Sequence, residues 1–120
     1  MPANISAKKM NLKLQKIKLE LLQSILVIMN ENHLDSLYIS DIDMGCSPII
    51  QEDDFDENNT YTLDKISLLP DNRISFDGSS SFANYTWVGE NIPTDALVGI
   101  LEFLKDHLEE IKEYAKTEEE

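Results

Sequence analysis

Cysteine, glycine and long apolar runs are scarce in this chain of 120 residues, and each shortage excludes a class of protein. The single cysteine, Cys46, rules out an internal disulfide and a multi-cysteine zinc site, and a lone thiol is typical of a reducing compartment. The four glycines are isolated from one another, so the sequence has no glycine-rich phosphate-binding loop. The longest aliphatic run, residues 25–29, is far shorter than the ~18 residues of a membrane span. We therefore expect a cytoplasmic protein that does not bind membranes.

Basic residues are also scarce. Ten Lys and Arg stand against 23 Asp and Glu, for a formal net charge of −13. Residues 1–33 hold five lysines and two glutamates, whereas residues 34–120 hold the other five basic residues and 21 acidic ones. Such a surface repels nucleic acid and anionic membranes and attracts basic partners. We therefore expect no nucleic-acid binding and a protein partner that is basic.

The first 33 residues contain the clearest periodic pattern. Apolar residues recur at spacings of three and four, which is typical of one helix face: Met10, Leu14, Ile17, Leu21, Ile25 and Ile28. This predicts a helix from about Ser6 to Glu31, with Lys9, Lys13 and Lys16 on its opposite side. Further apolar residues make the face too wide for one packing layer, which indicates a homodimer. The predicted dimer-interface residues are Leu12, Leu19, Leu22 and Leu26.

Residues 37–88 alternate strand-like segments with turn residues. Strands are predicted over residues 37–42, 60–69, 73–77 and 82–88. Within the second of these the apolar residues change parity, which predicts a β-bulge near Asp64 and Lys65. Short connections favour an antiparallel meander of three or four strands.

A second helix is predicted after Pro93, with Thr94 as its N-cap. Its buried stripe is expected to contain Leu97, Ile100, Leu101, Leu104, Leu108 and Ile111. Its other face carries acidic residues, and we expect the lysine side of the first helix to lie near them.

This element order predicts an α+β fold: an N-terminal helix, an antiparallel meander of three to four strands and a C-terminal helix, with both helices packed on one face of the sheet. The length fits a single domain, residues 1–120, with residues 1–7 and 117–120 frayed.

An acidic loop over residues 51–59 raises the possibility of a calcium site. Asp54, Asp56 and Asn58 match the first three ligand positions of an EF-hand-like loop. Asn59 and Lys65 then stand where a glycine and a bidentate glutamate are required. A solvated acidic loop is the alternative, so these three residues are weak metal candidates.

Two further groups invite a catalytic interpretation. Asp41-Ile42-Asp43 resembles the nucleophile motif of haloacid-dehalogenase-like phosphatases, which makes a small metal-dependent hydrolase one alternative. However, Gly45 replaces the expected threonine or valine, and the chain is too short for that fold. His107 is expected to face solvent among carboxylates that favour its charged form. We expect no catalytic residues, no cofactor and no enzymatic activity.

These observations together predict a non-enzymatic, acidic protein–protein interaction module. The alternatives are a nucleic-acid mimic and an immunity-like or secretion-chaperone-like binder of a basic partner. Two aromatic residues are expected either in the core or at a partner. The candidate partner-binding residues are Tyr85, Trp87, Glu102, Asp106, Glu109 and Glu113.

Three short segments carry a resemblance to a known group of proteins. They are Ile74-Ser75-Phe76, Tyr85-Thr86-Trp87, and Thr94-Asp95-Ala96-Leu97 with residues 100–104. The pattern resembles one in small uncharacterised acidic proteins of anaerobic gut bacteria and their mobile elements. That family has no known activity, so the resemblance implies no function.

Overall fold

A computed structural model describes residues 2–43, 45, 47–51, 60–81 and 83–119, with side chains over 12–43, 45, 47–51, 60–81 and 83–116. Within these ranges the chain is α+β, as predicted. The elements in chain order are α1 (Pro2–Glu31), β1 (Ser36–Tyr38), β2 (Ile49–Gln51), β3 (Thr60–Leu69), β4 (Arg73–Ser79), β5 (Asn84–Val88), α2 (Thr94–Asp106) and α3 (Leu108–Glu119). None of the helices in the described ranges is long and apolar enough to cross a bilayer.

The end of α1 is set by a Schellman motif. The amide of Leu34 donates to the carbonyl of Met29 at 2.9 Å, and the amide of His33 donates to that of Asn30 at 3.1 Å. His33 takes a left-handed backbone conformation with φ of 57°. This position is usually occupied by glycine, because a side chain there is crowded by the backbone.

Within the described ranges the sheet has five antiparallel strands, one more than the upper limit of the prediction. Its main order is β1-β3-β4-β5, and β2 also pairs with β3. Thr62 pairs with Ile49 of β2 on one side and with Ser79 of β4 on the other. Therefore β1 and β2 share the edge of β3 that lies opposite β4.

The sequence prediction differs from the structure at four strands. It missed β2, and its first strand is too long because a 3-10 turn, Ile39–Asp41, follows β1 directly. The predicted β3 has the observed bounds, whereas β4 extends two residues further, to Ser79. β5 begins at Asn84, and Phe82 lies outside the described residues.

The predicted β-bulge is confirmed. Leu63 pairs with Gly78 and Lys65 pairs with Asp77, so Asp64 is the additional residue on β3. An extra residue inverts the alternation of faces along the strand. Because of it, Leu63 and Ile66 both reach the core, although they are three residues apart.

One face of the sheet forms half of the core. Leu37, Ile66, Phe76 and Trp87 lie opposite one another on four neighbouring strands, and each is at most 1% exposed. The three helices contribute side chains to the same buried cluster: Ile25 and Met29 from α1, Leu97, Ile100, Leu101 and Leu104 from α2, and Ile111 and Ala115 from α3. The helices therefore pack on one face of the sheet, and α1 also contacts α2.

The opposite face of the sheet is polar and carries local side-chain pairs. The Thr86 hydroxyl donates to Asp77 at 2.5 Å, and the ammonium of Lys65 lies 4.9 Å from the centre of the Tyr38 ring. Both pairs are directly opposite residues on neighbouring strands, the geometry in which cross-strand side chains interact.

The predicted second helix is interrupted at His107, which separates α2 from α3. Its predicted buried stripe is confirmed except at Leu108, which is half-buried. The N-cap prediction is wrong by one residue: Pro93 occupies that position, and its carbonyl accepts from the amides of Ala96 and Leu97. Thr94 is instead the first helical residue.

The described side chains of α1, from residue 12 onward, lie in two different environments. Every side chain over residues 12–17 is exposed. Lys18 is half-buried, and its Nζ donates to the backbone carbonyl of Glu90 at 2.7 Å. Further along, Ile25 and Met29 are fully buried. Among its described side chains, the helix thus packs on the domain from Lys18 onward. We call residues 2–17 the N-terminal arm and the remainder of the domain the body.

Candidate functional site

The acidic residues predicted on the second helix form one exposed surface across α2 and α3. Glu102, Asp106, Glu109 and Glu113 are all exposed, at spacings of four, three and four. We call these four residues the acidic face. Glu113 forms an exposed ion pair with Lys116, at 3.7 Å. The other three side chains form no hydrogen bond or ion pair with the described part of the chain.

The three α1 lysines with described side chains form no ion pair with this face. Lys13 and Lys16 are exposed, and Lys18 bonds to the Glu90 backbone. Desolvation lowers the pKa of Lys18, and the nearby Glu90 charge acts in the opposite direction. Among the described side chains no ion pair joins α1 to α2 or α3. Charges of both signs are left available for contacts with other molecules.

The two candidate aromatic residues have different environments. Trp87 is 1% exposed and packs edge-on against Tyr61, with ring centres 5.1 Å apart. Tyr85 lies 4.7 Å from Trp87, but it is 48% exposed. Trp87 therefore belongs to the core and not to a partner-binding surface, because its side chain is almost completely inaccessible to solvent. Tyr85 keeps an accessible ring, held against the aromatic cluster.

Gly78 makes this aromatic cluster possible. It lies directly opposite Tyr85, and a Cβ at this position would be 2.9 Å from Cζ3 of Trp87 and 3.2 Å from the carbonyl of Thr62. The 2.9 Å separation from Cζ3 is shorter than real Cβ atoms essentially ever show. The absence of a side chain at Gly78 thus provides the space that the indole ring fills.

Three of the four predicted dimer-interface residues line one groove. Leu19, Leu22 and Leu26 face the ends of β4 and β5 across a groove of about 270 Å³, which we call the α1 groove. Its lining residues also include Ile74, Val88, Gly89 and Glu90. The fourth predicted residue, Leu12, lies on the N-terminal arm and is 65% exposed.

Asp43 and His107 connect the β1–β2 segment to the junction of α2 and α3. Nε2 of His107 lies 3.2 Å from Oδ2 of Asp43, and Nδ1 lies 2.8 Å from the carbonyl oxygen of Phe103. Both oxygens accept hydrogen bonds, so the two ring nitrogens can both donate in the imidazolium form. The Phe103 carbonyl, followed by Asp43 and the Glu110 charge, raises the pKa of His107 against the opposing effect of desolvation.

This environment corrects the prediction for His107. Its side chain is 20% exposed and stacks on Phe103, with ring centres 4.3 Å apart. Its partners are Phe103 and a carboxylate that is 64 residues away in the chain. The pKa direction agrees with the prediction, although only Glu110 among the expected neighbouring carboxylates contributes to it.

The two aspartates of the hydrolase alternative, Asp41 and Asp43, have different environments. Asp43 also accepts from the amide of Gly45 at 3.0 Å, so both of its oxygens have partners, while Asp41 is exposed. Cys46 and the weak metal candidates Asp54, Asp56 and Asn58 lie outside the described residues. Within the described ranges, no three His, Cys, Asp or Glu residues come together as a possible metal site.

The sheet side of the α1 groove was missed by sequence reasoning. Ile74 and Val88 read as ordinary strand residues, and no local pattern indicates that the ends of β4 and β5 meet a helix. Gly89 offers a retrospective signal, because a Cβ there would lie 3.2 Å from Cδ2 of Leu22. Comparison of the chain with known proteins found no matching family model, no similar curated protein and no similar solved structure.

Proposed function

We propose that this protein is a non-enzymatic binding module that recognises a basic partner protein through its acidic face. One observation carries the proposal: Glu102, Asp106 and Glu109 are exposed and have no cationic partner in the described part of the chain. Carboxylates in this state are fully hydrated and can accept lysine or arginine side chains without first breaking an internal ion pair.

The two helices support the proposal because they hold these carboxylates at defined spacing. Ile100 and Leu104 of α2 and Ile111 of α3 are completely buried beneath the acidic face. Helices anchored in this way present their outer residues with little loss of backbone freedom on binding. Charges arranged on such a surface mainly accelerate association and select partners of opposite charge.

A non-enzymatic role is supported by how Asp43 and His107 are used. Asp43 belongs to the hydrolase alternative and His107 is the other residue with a catalytic interpretation; in the described structure they bond to each other and to the backbone. Such bonds account for the two side chains as parts of the α2–α3 junction. A catalytic acid or base would instead need to reach a substrate.

The test compares two triple variants of equal net charge. The acidic-face variant is Glu102→Gln, Asp106→Asn and Glu109→Gln. The control neutralises three exposed carboxylates elsewhere: Asp35→Asn, Asp41→Asn and Asp71→Asn. A partner captured from cell extract is purified and titrated by calorimetry with each variant at low and high salt.

We expect the acidic-face variant to bind the purified partner about 3- to 150-fold more weakly, since three exposed ion pairs together contribute ~0.6–3 kcal/mol. The control should bind nearly as tightly as the unmodified chain, and the difference should shrink at high salt. Equal weakening in both variants would mean that net charge alone drives binding. Unchanged affinity in the acidic-face variant would refute the assignment of the surface.

A further inference from the structure

We propose that the α1 groove is occupied by a second copy of this chain, in an antiparallel homodimer. In this dimer the N-terminal arm of each copy lies along the α1 groove of the other. The inference is independent of the acidic face and of its partner.

The first argument is the spacing of three leucines on one side of α1, of which Leu12 and Leu19 are exposed and Leu26 is half-buried. Leu12, Leu19 and Leu26 are seven residues apart, the repeat that keeps one seam of a helix directed at a partner helix. Leu12 is 65% exposed and Leu19 is 61% exposed. The body uses another side of the helix, centred on Ile25 and Met29, which are fully buried. At Leu12 and Leu19 the seam is therefore additional to the surface that packs on the body, whereas Leu26 also packs against the core.

The second argument is that the seam is self-complementary when the helices run in opposite directions. With a two-fold axis at Leu19, Leu12 of one copy faces the partner's Leu26, and the reverse contact is identical. The α1 groove is lined by α1 residues over positions 19–26. The opposing segment then covers positions 12–19 of the second copy, so the exposed Leu12 gains an apolar environment. Each copy therefore supplies both elements of the contact, the segment at Leu12 and the segment at Leu26, as a two-fold symmetric dimer requires.

The third argument is charge, which selects the antiparallel arrangement. Residues 1–19 contain five lysines and no acidic residue, while the rest of the chain holds five basic residues and all 23 acidic ones. An antiparallel dimer places each lysine-rich arm beside the acidic body of the other copy. A parallel dimer places two acidic bodies side by side and two basic arms together, which is repulsive. Lys13 and Lys16 are exposed and unpaired within the described part of the chain, so they are available for this contact.

The oligomeric state is the first test. Light scattering of the full chain should give twice the 13.7 kDa of one copy. Leu19→Glu should yield the monomer mass at the same concentration, because it places a charge on the two-fold axis. The control is Val27→Glu, which adds the same charge at another exposed apolar position of α1. It should remain dimeric, and circular dichroism should show equal helix content in both variants. A monomeric unmodified chain at high micromolar concentration would overturn the proposal, as would a dimeric Leu19→Glu variant.

Orientation is tested by cysteine cross-linking in a Cys46→Ser background. Leu12→Cys and Leu26→Cys proteins are oxidised separately and as an equimolar mixture. The antiparallel dimer predicts a cross-linked species in the mixture and little in either protein alone. If each protein cross-links with itself and the mixture gives no additional cross-linked dimer, the dimer is parallel and the proposed arrangement is overturned.

The charge argument is tested by two double variants of equal net charge. Lys13→Glu with Lys16→Glu alters the arm, and Lys105→Glu with Lys112→Glu alters exposed lysines of the body. At low salt the arm variant should dissociate at least tenfold more readily than the body variant. Equal effects would refute the attraction between arm and body. These measurements use the purified chain alone, so a negative result would leave the acidic-face proposal unaffected. Failure of the acidic-face proposal would likewise leave the dimer proposal unaffected.

Discussion

Replacing Gly78 by alanine should destabilise the protein, although alanine is the better strand residue. A glycine inside a strand costs about 0.5–1 kcal/mol relative to alanine, because it loses more backbone freedom on folding. Gly78 does not have a positive φ, so backbone conformation gives no reason to retain it. The reason lies in space, since the added Cβ would be 2.9 Å from Cζ3 of Trp87.

The magnitude follows from what surrounds that atom. Trp87 is 1% exposed and is enclosed by Tyr61 and Tyr85, so the ring cannot retreat without repacking the cluster. The second close atom, the Thr62 carbonyl oxygen at 3.2 Å, belongs to the backbone. Overpacking of this kind costs about 1–3 kcal/mol. After the gain in strand propensity is subtracted, we expect a net loss of up to ~2.5 kcal/mol.

Gly99→Ala is the matched control. Gly99 lies inside α2 and is exposed, and a Cβ there would have nothing within 4 Å. The same substitution should therefore stabilise the protein by about 0.8–1 kcal/mol, the difference in helix propensity. Urea denaturation measures both variants, and the midpoints should move in opposite directions with unchanged slope.

A double-mutant cycle with Trp87→Phe identifies the cause. Phenylalanine lacks the part of the indole ring that carries Cζ3 and Cη2, the two atoms of Trp87 nearest to the added methyl group. Gly78→Ala should therefore cost less in the Trp87→Phe background, with a coupling energy of ~0.5 kcal/mol or more. Additive effects, or stabilisation by Gly78→Ala, would show that the ring does not occupy the space assigned to it.

Three further predictions concern the junction and α1. Because the pKa of His107 is raised in the folded state, its bond to Asp43 should stabilise the protein fully below pH ~6.5 and progressively less as pH rises through the folded pKa. Denaturation of Asp43→Asn should thus show a larger loss relative to the unmodified chain at pH 5.5 than at pH 8.5, and an equal loss at both would contradict the pairing. His33→Gly should raise the free energy of unfolding by about 1 kcal/mol, since it relieves the left-handed conformation at the end of α1; a lowered thermal midpoint would argue against this. Ile25→Ala should cost about 2–5 kcal/mol, whereas Leu12→Ala should stay within ~0.5 kcal/mol at concentrations where the chain is monomeric. Comparable losses in urea titrations would mean that the arm packs on the body.

Much of the fold could be predicted because its signals are local. The spacing of apolar residues in α1 and α2 follows from helix geometry, so it marks the buried stripes before any packing is known. The bulge at Asp64 was also readable, since the change of parity between Leu63 and Ile66 requires one extra residue.

Other features depend on contacts that are distant in sequence. β2 is three residues long and is stabilised by pairing with β3, so its own residues carry little strand signal. The break at His107 is accompanied by a bond to Asp43, 64 residues away. Trp87 and Tyr85 lie two residues apart on the same face of β5, so the sequence does not distinguish the buried ring from the exposed one. In the structure, Gly78 leaves the space that the indole ring of Trp87 fills.

The sequence by itself determined the element types and the separation of charge along the chain, because periodicity and composition depend on neighbouring residues alone. The tertiary structure decided which apolar side of α1 is buried, since Ile25 and Met29 meet the body while Leu12 and Leu19 do not. It also decided that Lys13, Lys16 and Lys18 form no ion pair with the acidic face within one copy, among the described side chains. Both outcomes depend on how the sheet orients the helices, and backbone pairing between distant strands sets that orientation.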